Sequence, residues 1–259
     1  PLPPLMAVNT TAGTGSELTR HAVITNEDTH LKFVVVSWRN IPLVSFNDPM
    51  LMLDVPQSVT AATGCDAFVQ AIEPYVSVDH NPITDSQCKE AIQLIQTALP
   101  EAVANGHNIE ARTKMVEAEM LAGMAFNNAN LGYVHAMAHQ LGGQYDAPHG
   151  VCCALLLTTV EEYNIIACPE RFAELAEIMG YDTTGLTTMQ AAQKSIDGMR
   201  EMCKAVGIPA SIKEIGAKPE DFPLMAENAL KDGNAFSNPR KGTKQEIIDL
   251  YQKAYDGIY

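Results

Sequence analysis

The chain has 259 residues, of which 46% are hydrophobic and 19% charged, the balance of a packed globular protein and not of a disordered one. With 17 Lys and Arg against 31 Asp and Glu, the net charge is -14, so a phosphate backbone is repelled and nucleic acid is not an expected partner. The longest apolar run, Val151 to Leu157, falls short of the ~18 residues that span a membrane, so no membrane partner is expected either.

In chain order, Leu5 to Val8 is a short apolar run. It stops at Asn9-Thr10-Thr11-Ala12-Gly13-Thr14-Gly15-Ser16, a loop of small and hydroxylated residues. Ala22 to Thr25 and Phe33 to Ser37 are β-branched or apolar runs parted by the polar turn Asn26 to His30, which predicts a hairpin. Val44 to Phe46 is a further strand candidate, closed by Asn47-Asp48-Pro49. So few strands cannot bury both faces of a sheet alone.

Beyond Pro56 the pattern becomes helical. Ala61, Cys65, Phe68, Ile72 and Tyr75 form an apolar stripe at helical spacing in 58–75. Thr84-Asp85-Ser86-Gln87 has the form of a capping box opening a second helix to about Ala104. A third helix is predicted over 110–128. The pair 132–145 and 150–163 is broken at Pro148, and further helices are expected near 169–179, 186–206, 219–231 and 244–256. The fold class is therefore mainly α. An all-helical domain over 56–259 follows a segment, 1–55, that reads as the C-terminal remainder of an α/β domain.

Pro1 to Pro4 lacks the basic and apolar regions of a signal peptide. The missing initiator Met places the expected natural start upstream. Six cysteines, none in a CxxC pair, read as reduced thiols of a cytoplasmic protein. Most of them are expected to be small buried hydrophobes.

Three of the seven histidines cluster as His135, His139 and His149. The first two lie four apart and share a helix face. His149, after Pro148, can fold back towards them. Neutral imidazole is the commonest ligand for zinc or iron, and Asp66, with Gln70 one turn on, would complete a mixed nitrogen and oxygen site with an open position. Judged singly, each residue has a plainer reading: core or surface histidines, and a helix-surface aspartate. The loop from Thr10 to Ser16 can present N–H and O–H groups to phosphate or ribose, or can simply be a tight turn.

These residues resemble the group III, iron-containing alcohol dehydrogenases. NTTAGTGSE (Asn9 to Glu17), AATGCDA (Ala61 to Ala67), GMAFNN (Gly123 to Asn128), VHAMAHQLGG (Val134 to Gly143) and PHGV (Pro148 to Val151) match that family's motifs in order and spacing along essentially the whole chain. KFVVVSWRN (Lys32 to Asn40) and ALKDGNAFSNPRKG (Ala229 to Gly242) resemble the 1,3-propanediol dehydrogenase branch in particular.

The resemblance implies Fe2+ or Zn2+ held by Asp66, His135 and His149, with Gln70 at the fourth ligand position. It implies His139 beside the nicotinamide in proton relay, and Phe126 shaping the substrate pocket. Thr10, Thr11, Thr14, Thr19, Lys32 and Met52 are expected around the cofactor, NAD. The implied fold is an α/β NAD-binding domain followed by the helical metal domain. The implied reaction is hydride transfer between a primary alcohol or diol and its aldehyde, in a homo-oligomer, dimer or larger.

Two departures qualify this. The family has a His where this chain has Gln70, and an amide oxygen is the weaker donor. The family's N-terminal pyrophosphate-binding turn is not in this sequence. A truncated, non-catalytic relative is thus one alternative. A metal- and NAD-binding lyase of the dehydroquinate synthase type, which shares the architecture, is another.

Overall fold

The computed structural model describes residues 3–26 and 32–259. The expected turn between the hairpin strands therefore lies almost wholly outside the described residues, as does the side chain of Lys32.

Short strands open the chain. β1 (Met6–Val8) pairs in parallel with β4 (Val44–Phe46), while β2 (His21–Thr25) and β3 (Lys32–Val36) form the expected antiparallel hairpin, with His21 opposite Val36 and Thr25 opposite Lys32. Apolar side chains on this segment, among them Leu43, Val44, Phe46 and Trp38, face solvent.

From Gln57 the chain is helical. α1 (Gln57–Val76) lies at the centre of a layer with α2 (Pro82–Ala104) and α3 (Ile109–Ala129). α4 (Tyr133–Tyr145) and α5 (His149–Asn164) follow, then α6 (Pro169–Ile178), α7 (Thr188–Ala205), α8 (Phe222–Lys231) and α9 (Lys244–Asp256). The core runs through all of these helices, with Phe68, Ile72, Ile92, Leu99, Met137, Leu141 and Phe172 fully enclosed. α1 has no side-chain cap at its N-terminus, yet nearly every residue from Thr60 onward is buried; packing and not capping holds it.

One expectation needs correction. The second helix starts at Pro82, earlier than Thr84 suggests. Asn81 is its cap, its side chain accepting from the N–H groups of Ile83 and Thr84, while its own N–H donates to Thr84 Oγ1 in a capping box. Pro82 at the first helical position costs no hydrogen bond and favours that start. The segment His149–Ala167 is also apolar and long enough to span a membrane by length and composition, with a mean hydropathy of 1.3, but 72% of that stretch is buried inside the protein. It is a core helix.

The break between α4 and α5 is built by Asp146, at φ 51°, which ends α4 in a left-handed conformation, and by Pro148, after which His149 begins α5. α5 crosses α1 closely: a Cβ on Gly150 would stand 2.0 Å from the carbonyl oxygen of Ala62. That approach carries the first turn of α5 to Asp66, one turn along α1.

Candidate metal centre and cleft

Asp66 stands on a buried stretch of α1, 1% exposed. Its Oδ1 lies 3.5 Å from His135 Nε2 and 3.6 Å from His149 Nε2. Cys153, four residues along α5 from His149, places its Sγ 3.6 Å from the same His149 nitrogen. One ligand atom from each of these four residues lies within 4.8 Å of every other. Asp66 Oδ1, His135 Nε2 and Gln70 Oε1 are buried without a hydrogen-bond partner. Orphaned groups of this kind cost free energy in a closed interior unless something binds them.

The ionisable groups of the cluster act on one another. Burial alone would raise the Asp66 pKa, but His149 and His135 outweigh it and hold the carboxyl below its ordinary range. Burial opposes a charged His135 as well, yet Cys153, Glu73 and Asp66 together push its pKa well up. Burial pushes the Cys153 thiol up to about 12. The cluster thus sets one buried carboxylate, Asp66, among nitrogen and sulfur donors. Divalent ions take nitrogen, oxygen and sulfur ligands of this kind, so the residues present fit an iron or zinc ion.

Behind the cluster, Glu73 Oε2 lies 2.5 Å from His135 Nδ1, and its Oε1 accepts from the Val134 N–H at 2.7 Å. His139 Nδ1 lies 2.7 Å from Asp232 Oδ2. The ring planes of His139 and His149 are stacked, with centroids 5.5 Å apart.

The cluster opens onto a cleft of about 390 Å³. Thr14, Thr19, Asp66, Gln70, Phe126, His135, His139 and His149, all singled out from the sequence, line it. Thr11 and Met52 instead border a separate small recess beside Arg112, and Thr10 is exposed and borders neither. The loop is pinned to α3: the Gly15 N–H donates to Glu119 Oε1 at 2.8 Å. A backbone at φ 61° and only 3.0 Å between a Cβ there and the Gly123 Cα admit little but glycine at position 15.

Three residues of the site escaped the sequence reading: Glu73, Asp232 and Cys153. Cys153 was legible in principle, being four residues from His149 on a predicted helix. Asp232 lay within the quoted Ala229 to Gly242 stretch. Glu73 is a carboxylate in an otherwise apolar turn.

Known proteins resemble this chain along nearly its whole length. Residues 60–255 match the Fe-containing alcohol dehydrogenase family, C-terminal, and residues 1–49 match iron-containing alcohol dehydrogenase. The chain is 59% identical to the 1,3-propanediol dehydrogenase of Klebsiella pneumoniae, over 98% of this chain and 66% of that one. It is 44% identical to the NAD-dependent methanol dehydrogenase of Bacillus methanolicus, over 98% and 67%. The solved structure of an alcohol dehydrogenase from Oenococcus oeni superposes with a TM-score of 0.96 at 80% identity, over 98% of this chain and 67% of that one. The chain thus spans about two thirds of the length of these relatives.

Proposed function

Because the chain belongs to the iron-containing alcohol dehydrogenase family, we propose that it is the metal- and substrate-binding part of an NAD-linked alcohol dehydrogenase. The reaction is the interconversion of a primary alcohol or diol, of the 1,3-propanediol type, with its aldehyde. The observation that carries this reading is the convergence of unpartnered Asp66 and His135 donor atoms with His149 at the base of a cleft roofed by the Gly-Thr loop.

In this reading Asp66, His135 and His149 hold an iron or zinc ion, and Gln70 presents its amide oxygen from one turn further along α1. When bound, the ion supplies Lewis acidity that favours the ionised alcohol, and NAD carries the hydride. The chain's own residues do the rest. Phe126 sits against the cleft and limits the substrate's bulk. Thr14 and Thr19 offer hydroxyl groups on the cofactor side. Asp232 engages His139 Nδ1, so that the Nε2 face is left for the proton of the substrate hydroxyl.

Residues 1–55 are the tail of the NAD-binding domain and 56–259 the metal domain. The exposed apolar side chains of the strands are the surface that the remaining sheet covers. The same reading makes the enzyme a cytoplasmic homo-oligomer. The test is turnover by the protein isolated from its source, loaded with Fe2+ or Zn2+ and given 1,3-propanediol and NAD. Steady accumulation of NADH is the expected result. A lyase regenerates NAD in each turnover, and a non-catalytic relative turns nothing over, so a flat trace overturns the proposal.

A further inference from the structure

We propose that Cys153 is itself a metal ligand in this chain, as a thiolate that completes the set Asp66, His135 and His149 from the buried side. The inference rests on the reading of these residues as a metal site and goes beyond it in ligand identity.

Spacing is the first argument. Ligands at bond lengths of ~2.0–2.3 Å around a tetrahedral ion stand roughly 3.3–3.6 Å from one another. His135 to Asp66 is 3.5 Å, His149 to Asp66 is 3.6 Å and Cys153 Sγ to His149 is 3.6 Å. Three edges of the polyhedron are therefore already at ligand separation, and one of them ends on sulfur.

Position is the second. His149 and Cys153 lie one turn apart on α5, on the side turned towards α1 and α4, so a single helix face delivers both donors. The neighbouring Cys152 turns elsewhere, with its Sγ donating to the Ala147 carbonyl at 3.9 Å. Cys153 is fully buried, whereas Gln70 borders the cleft. The thiolate therefore takes the inner position, and an alcohol oxygen entering from the cleft side, past Gln70, would be a fifth ligand.

Charge is the third. Gln70 is neutral, and Asp66 is the one carboxylate among the other proposed ligands, with Glu73 set behind His135 on its Nδ1. A thiolate completes the balance. As the sulfur–metal bond forms, the S–H bond breaks and its proton leaves to solvent; nothing is oxidised or reduced. Thiolate ligation also favours zinc over iron at this site.

Cobalt(II) reports the ligand set directly. The metal-stripped protein is titrated anaerobically with Co2+ alone. The expected spectrum has a thiolate-to-cobalt charge-transfer band in the near ultraviolet, growing in step with visible d–d bands. Cys153→Ser should lose the charge-transfer band, keep weaker d–d bands and bind Co2+ about ten-fold less tightly or worse. Cys152→Ser should keep both.

Visible bands without charge transfer in the unmodified protein overturn the role of Cys153 alone, leaving the other three ligands standing. No cobalt bands at all overturn the metal site and this inference with it. Should the serine variant not fold, X-ray absorption on the zinc-loaded unmodified protein decides: a sulfur scatterer at ~2.3 Å supports the proposal, and a shell of nitrogen and oxygen only overturns it.

Discussion

The Nδ1 of His135 lies 2.5 Å from the Oε2 of Glu73, and this contact commits one imidazole nitrogen to the protein so that the other faces Asp66. The second Glu73 oxygen holds the Val134 N–H in the first turn of α4, tying backbone and ring to the same carboxylate. Partners of this kind fix ligand orientation and tautomer. Glu73→Ala should weaken metal binding by about 10–100-fold. It should also destabilise the fold by roughly 1–3 kcal/mol for each buried donor left unpaired. Metal titration and a denaturant melt check the two effects. An unchanged metal affinity would remove Glu73 from the site.

In the proposed site, His149 is the ligand delivered by the turn between helices. His149→Ala should abolish metal-dependent turnover, because it removes one of the two imidazole ligands at the cleft. Bound metal per chain, measured by elemental analysis after gel filtration, should fall in parallel. Full activity in this variant would sink the ligand assignment.

Gln70→His should tighten metal binding by at least about ten-fold, since imidazole is a stronger donor than an amide oxygen. Gln70 is 3% exposed, and its Oε1 lacks a partner, so a ring nitrogen placed there has the ion as its natural partner. A titration identical to that of the unmodified protein would mean that position 70 does not reach the ion.

Much of this was legible before any coordinates. The helices followed from apolar residues at helical spacing, and the histidines from the four-residue rule on α4. What stayed hidden was what comes from far along the chain. Asp232 reaches His139 across 93 residues, and no local pattern in a loop announces such a pairing. The start of α2 was misplaced because two cap signals overlap at Asn81 and Thr84, and only the proline between them discriminates. Cys153 carried a spacing signal, four residues from His149, but a cysteine on an apolar helix reads as core until its neighbours are known.

In the proposed mechanism Asp232, bonded to His139 Nδ1, acts on the substrate only through that ring. Asp232→Ala should therefore lower kcat by about 10²-fold, the scale of a lost proton-transfer contribution, with the KM for NAD little changed and metal content intact. Asp232→Glu should recover part of the loss, since it restores a carboxylate near Nδ1. An equal fall in metal content would show that Asp232 serves the fold and not the proton.

Glu119 gives the stability a pH dependence whose sign can be worked out. Burial first, and the adjacent Glu17 next, push its carboxyl from its ordinary 4.5 up to about 9. In the unfolded chain it ionises at the ordinary value. Between about 4.5 and about 9 the folded state therefore holds a proton that the unfolded state has released. Stability must then fall as pH rises through that window. Glu161, raised by burial to about 8, adds a slope of the same sign. Glu119→Gln removes the first contribution while keeping an oxygen to accept from Gly15. It should leave stability near pH 4 almost unchanged and raise it at pH 8.5 by on the order of a few kcal/mol. Chemical melts at the two pH values measure the difference. Equal effects at both would mean that the Glu17–Glu119 contact holds no extra proton in the fold.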